Sequence, residues 1–143
     1  MSPNERDDMN YKIDEIEGIG PAYREKLAAA GITTTEALLS ACCAKAGRVG
    51  TAESTGISEK LLLTWSNMAD LMRINGVGKQ FAELLHAAGV DTVKELKTRR
   101  ADNLSAKMAE VNAEKHLAKT SPAESLVQEW IDEAGKLEAL ITH

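Results

Sequence analysis

The feature that most constrains the fold is an internal repeat. Residues 13–39, IDEIEGIGPAYREKLAAAGITTTEALL, recur 58 positions later at 71–97 as LMRINGVGKQFAELLHAAGVDTVKELK. Ten of the 27 aligned positions are identical, and most of them are glycine or apolar: Gly18/Gly76, Gly20/Gly78, Gly31/Gly89, Leu27/Leu85 and Leu38/Leu96 among them. Ile13/Leu71, Ile19/Val77, Tyr23/Phe81 and Ile32/Val90 keep apolar character. What repeats is therefore backbone shape and packing rather than surface chemistry.

Each copy reads as a helix end, a tight glycine turn, a helix of about ten residues, a second glycine break and another helix. Gly18 and Gly76 suit a turn with positive φ, and Gly20 and Gly78 stand where the chain enters the next helix. Ile19 and Val77, between them, point inward. Gly31 and Gly89 end the short helix as C-cap residues, with Ile32 or Val90 closing over it. Thr33 and Asp91 are then expected as N-caps, Thr33 with Glu36 having capping-box spacing.

Further helices follow each turn. Leu61, Leu62, Trp65, Met68, Ala69 and Met72 fall at helical spacing in 57–73, as do Leu126, Val127, Trp130, Ala134, Leu137 and Ile141 in 121–141. Both tryptophans sit within apolar stripes and are expected in the core. Ser121, Pro122 and Glu124 form a helix-start signal, and 103–119 carries a further helix through Leu104, Met108, Val111 and Leu117. Residues 46–56, AGRVGTAESTG, are glycine-punctuated and expected as a loop or broken short helix. The first copy's leading helix is short, because little precedes Gly18. Aromatics are only 3% of the chain, and ten glycines with three prolines are too few for a protein of many tight turns and aromatic strands. The expectation is an all-α protein with two turn-bearing units, 11–70 and 71–143, in one domain behind a disordered 1–10.

The apolar-x-Gly-apolar-Gly pattern entering a helix, with Leu seven residues after the second glycine, resembles a tandem helix-hairpin-helix protein; INGVGKQFAELLHAAGV fits it well. With the tryptophan helices included, residues 11–141 also resemble a bacterial domain-of-unknown-function family built on paired motifs of this kind. The resemblance implies two helix-hairpin-helix units packed as a pseudo-symmetric pair. It also implies non-catalytic, sequence-independent binding of a nucleic acid backbone, DNA favoured over RNA. Turn and helix-start N–H groups, left without intrahelical partners, point at a phosphate there, and the helix dipole favours its charge. In related motifs the hairpin carbonyls also hold a monovalent cation, which nothing in this sequence demands.

Carried over by position, the second hairpin is the better site: Gly76, Val77 and Gly78 present amides and Lys79 adds an ammonium, with Arg73, Arg99 and Arg100 as supporting contacts. Gly18, Ile19 and Gly20 form the weaker hairpin, since Glu17 repels phosphate and Pro21 replaces Lys79 and lacks an N–H. The chain as a whole is acidic, with net charge −5 and pI about 5.2, so any anion binding must be local. Residues 71–119 hold nine Lys or Arg against six acids, whereas 120–143 hold one Lys against five. The competing reading is a protein-interaction or assembly module whose hairpins are purely structural.

Other classes find no support in the sequence. No nucleophile elbow, P-loop, dinucleotide fingerprint or zinc-hydrolase pattern is present, so neither an enzyme with a small-molecule substrate nor a cofactor is expected. His86, His116 and His143 lack partners at ligand spacing, and the neighbours Cys42 and Cys43 suit neither a metal site nor a disulfide framework. A small buried cysteine pair is expected instead. No run approaches the roughly 20 apolar residues that span a bilayer, and the polar start lacks a signal pattern, so the expected setting is the cytoplasm and not a membrane.

Overall fold

The computed structural model describes residues 10–143, which excludes nearly all of the segment expected to be disordered. Among them lie a 3₁₀ turn (Ile13–Glu15) and eight α-helices: α1 Pro21–Ala29, α2 Thr35–Cys42, α3 Lys45–Thr55, α4 Glu59–Leu71, α5 Lys79–Ala87, α6 Val93–Leu96, α7 Ala101–Lys115 and α8 Glu124–Lys136. The described residues contain no strand, only an isolated antiparallel bridge between Lys12 and Thr34. The protein is all-helical. None of these helices is long and apolar enough to cross a membrane.

The repeat is visible in the backbone. Helices α1 and α5 have the same length at the same 58-residue offset, preceded by Gly18 at φ +96° or Gly76 at φ +90°, and followed by Gly31 at φ +82° or Gly89 at φ +95°. These left-handed values suit glycine because a Cβ there meets the following carbonyl. Equivalent contacts also recur. Helix α1 meets α3, α2 meets α4 and α3 meets α4; correspondingly α5 meets α7, α6 meets α8 and α7 meets α8. The two halves join where α4 packs on α5, and one apolar core runs from Ile13 to Ala134.

Each turn is closed by a tryptophan from the last helix of its own half. A Cβ on Gly18 would stand 3.2 Å from Trp65 Nε1, and one on Gly76 would stand 3.6 Å from Trp130 Nε1. The same indoles meet Tyr23 and Phe81 at ring-centroid separations of 5.0 and 5.1 Å, edge-on or tilted, as aromatic quadrupoles favour. Both tryptophans are buried, with Ile19 and Val77 beneath the turns. Burial of this apolar surface is the main favourable term in closing each half.

Four local expectations are corrected. The segment 46–56 is no loop: 45–55 form the regular helix α3, ended by Gly56 in the left-handed conformation. Gly47 is needed there because a Cβ would lie 2.0 Å from the Ala41 carbonyl oxygen, so glycine permits α3 to start against the end of α2. The N-caps are Thr34 and Thr92, one residue after Thr33 and Asp91; Thr34 Oγ1 accepts from the Ala37 N–H at 3.1 Å. Helix α8 begins at Glu124 with Ala123 as N-cap, since the Ser121 hydroxyl is placed toward Asn112 Nδ2, 3.5 Å away. It ends at Lys136, and residues 137–143 run on as an irregular strap.

Substituting alanine at Gly18 or Gly76 forces a Cβ into a left-handed turn against an indole. Each variant should lose about 1–3 kcal/mol of unfolding free energy in urea titration, with the larger loss at Gly18, where the approach is closer. Losses below about 0.5 kcal/mol, the ordinary range for innocuous surface changes, would show that the turns do not depend on glycine.

Candidate functional site

The residues expected around the second turn are ordered by acids. Lys79, first residue of α5, places Nζ 3.7 Å from Glu17 Oε2 of the first turn, both side chains about half exposed. The Asn75 N–H donates to the Glu133 carboxylate of α8, at 3.1 Å to Oε2 and 3.3 Å to Oε1. One turn amide is thereby already occupied. Gly78 is the N-cap of α5 and supplies no side-chain acceptor, while Val77 is buried and its N–H returns to the Ile74 carbonyl. Gly20 plays the same N-cap part before α1, and the Ile19 N–H returns to Ile16.

Arg73 is a packing residue. Its Nη1 donates to Asp70 Oδ1 at 2.7 Å and to the Glu138 carbonyl at 2.9 Å, so it ties α4 to the C-terminal strap. Asp70, 1% exposed, spends its other oxygen on the Val93 N–H at 3.0 Å and so caps α6 in place of Thr92. Sequence reasoning missed this carboxylate; the available signal was an acid inside the apolar run of α4.

Arg99 and Arg100 lie elsewhere. Nine residues of α5 separate them from the second turn, roughly 13 Å at 1.5 Å per residue. Arg99 Nη2 donates to the Gly89 carbonyl at 2.9 Å, covering the exposed end of α5, and stands 3.9 Å from Glu95 Oε2. Arg100, the N-cap of α7, grips Asp102 through Nε and Nη2 at 3.2 and 2.9 Å, which holds the Asp102 carboxyl below its ordinary pKa and raises that of the guanidinium. Both are exposed pairs, in which solvent and salt compete with the carboxylate for the guanidinium.

The structure adds a third cation. Arg99, Arg100 and Lys107 line one groove of about 460 Å³ together with Thr98, Asn103 and Leu104, and among the described residues none that lines it is acidic. Arg100, Asn103 and Lys107 follow at i, i+3 and i+7 and share one face of α7. That spacing was the signal available for Lys107. The groove also adjoins the start of a 15-residue helix, whose dipole favours negative charge.

A model of the family described as Domain of unknown function (DUF4332) matches residues 17–137. The chain belongs to that family. No curated protein and no solved structure matches it. The segment shared with the DUF4332 family contains both glycine turns, both tryptophans and the whole basic groove.

Two further groups in this DUF4332 chain have shifted acidities. Burial pushes the Cys42 thiol up, against lowering contributions from Thr51 and Arg48; both cysteines are free, Cys42 buried and Cys43 half-buried. The Glu83 carboxyl is pushed up first by desolvation, then by the charge of Glu17 and a hydrogen bond with it, opposed by Lys79 and His86. Because the native state holds the Glu83 proton more tightly than the unfolded chain, stability falls as pH rises from the unfolded pKa through the folded one. Glu83→Gln should therefore abolish that fall in urea titrations between pH 4 and 7 and leave the protein at least as stable as wild type at neutral pH. A variant less stable at pH 7, with the slope retained, would assign the pH dependence to another group.

Proposed function

We propose that the two glycine turns are a pseudo-symmetric pair of helix-hairpin-helix motifs, and that the protein is a non-catalytic module binding the phosphate backbone of nucleic acid without reading its sequence. Matching φ values at the four glycines and the recurrent helix contacts support the pairing. The observation that carries the function is the groove in which Arg99, Arg100 and Lys107 converge: Arg99 and Arg100 share their charge with Glu95 and Asp102, and Lys107 has no ion pair among the described residues.

The groove, rather than the second turn, is the principal phosphate seat. Three cations and the side-chain amide of Asn103 suit the spaced oxyanions of a backbone, and phosphate contacts carry affinity but little sequence information. The second turn is a secondary contact, because it offers one cation, Lys79, where the groove offers three, and one of its amides is held by Glu133. The carboxylates of Glu17 and Glu133, with Glu83 beside them, favour the second reading, in which the turns are wholly structural and the module docks a protein.

Fluorescence anisotropy of labelled single-stranded and duplex DNA, titrated at several salt concentrations, tests the choice. Removing two phosphate contacts with Arg100→Ala/Lys107→Ala should flatten the slope of log affinity against log salt by about 2, and Lys79→Ala should change it by less than about 0.5. Absence of binding at low salt, or a slope untouched by the double substitution with the helical fold intact, would replace nucleic acid by a protein partner.

A further inference from the structure

The first half carries a second cationic cavity, remote in sequence from the groove and independent of the backbone-binding reading. Lys45, Arg48, Glu59, Lys60, Leu63 and His143 line about 270 Å³ of space between α3, the start of α4 and the end of the strap. Arg48 is the unusual member. It is 3% exposed, and no carboxylate lies within ion-pair distance of it among the described residues. Its Nη1 donates to the Cys42 and Cys43 carbonyls, each at 3.0 Å, and its Nη2 to the Thr142 carbonyl at 2.6 Å.

Three of five guanidinium donors are thus spent on neutral oxygens, and the Nε–H and one Nη2–H have no acceptor among the described residues. A buried cation usually retains a counter-charge, because carbonyl dipoles offset only part of its lost hydration. Here the neighbouring charges add to the excess. Lys45 and Lys60 line the same cavity without an ion pair among the described residues, and Glu59 is the acidic side chain in its wall. Lys45 and Arg48 are also the first and fourth residues of α3, whose N-cap Ala44 offers no side-chain acceptor, so the positive end of that helix is near.

We propose that this cavity is a binding site for a small tetrahedral oxyanion of the phosphate class. The anion supplies the counter-charge that Arg48 lacks, with Lys45 and Lys60 closing over it from the rim. Arg48 meanwhile pins Thr142, whose N–H donates to the Cys43 carbonyl at 2.8 Å, so an occupied site also secures the strap on the first half. Two sources share this chemistry: a free phosphate or small phosphate monoester, and the terminal 5′-phosphate of a nucleic acid.

The test is a titration of the full chain with inorganic phosphate, followed by proton–nitrogen correlation spectra against sodium chloride at matched ionic strength. Saturable shifts of the Lys45, Ala46, Gly47 and His143 amides, absent with chloride, are expected. Lys45→Gln/Lys60→Gln leaves the Arg48 clamp in place and should raise the dissociation constant at least tenfold, whereas Arg48→Lys reports on the clamp itself. A 5′-phosphorylated oligonucleotide that displaces phosphate when its unphosphorylated twin does not assigns the site to a nucleic acid end. Displacement by a nucleoside monophosphate alone assigns it to a small ligand. Shifts that fail to saturate, that chloride reproduces, or that survive the double substitution unchanged would overturn the proposal.

Discussion

Each glycine turn exists because an indole stands against it. The chain reverses before α1 and α5 through a left-handed residue, and the space where a Cβ would project is bounded by Trp65 or Trp130. A tight turn is local, whereas the tryptophan arrives on a helix 47 residues after Gly18 or 54 after Gly76. Closing loops of that length costs entropy that only burial of the indole and its neighbours offsets. The turn and the last helix of its half are therefore coupled through the indole. The helices between them, α2 and α3 or α6 and α7, are held in the space that this closure defines.

The two halves then satisfy one backbone donor in different ways. In the first, the N–H of Thr35 is taken by the Tyr11 carbonyl, and the preceding Thr34 caps Ala37 with its own hydroxyl. In the second, the equivalent N–H of Val93 is taken by the Asp70 carboxylate, and Thr92 caps nothing. Asp70 belongs to α4, the helix through which the halves meet, so this cap connects the first half to the second. It is buried and shares its charge with Arg73. Removing either partner would leave a buried charge or a buried N–H without compensation, the costly side of such pairs.

The turns, the inward Ile19 and Val77 and the tryptophan helices were legible because positive φ and helical periodicity are written locally, one residue at a time. Helix α3 was not. Gly47 and Gly50 lower its helix propensity by roughly 1 kcal/mol each, and its presence follows from packing: only glycine lets position 47 pass under the Ala41 carbonyl. The caps were misplaced by one residue because Thr33 and Thr34 are both competent; which hydroxyl meets an amide depends on how the chain leaves Gly31. At the candidate site, sequence supplied Arg99 and Arg100 but not the company they keep. Lys107 joins them through the face of α7, while Arg73 and Lys79 are claimed by Asp70 and Glu17 from other elements.

That division sets where an acidic chain presents positive charge. At about 0.1 M salt, charges beyond roughly 10 Å are largely screened, so net charge matters less than what lies within one screening length of a given surface. Counting cations along 71–119 gives nine, yet Arg73 is fixed on the buried Asp70 and Lys79 faces the carboxylate of the opposite turn. The exposed contacts of Arg100 with Asp102 and of Arg99 with Glu95 are of another kind, since solvent already competes for them and a phosphate with several oxygens offers more acceptors than one carboxylate. Glu133 of α8 is spent on the Asn75 amide of the second turn, while Glu17, which stands at the position of Asn75 in the first copy, faces Lys79. Acids thus hold the second turn while exposed cations gather at the far end of α5, which is why the fold's most recognisable loop and its most exposed cluster of positive charge are separate places.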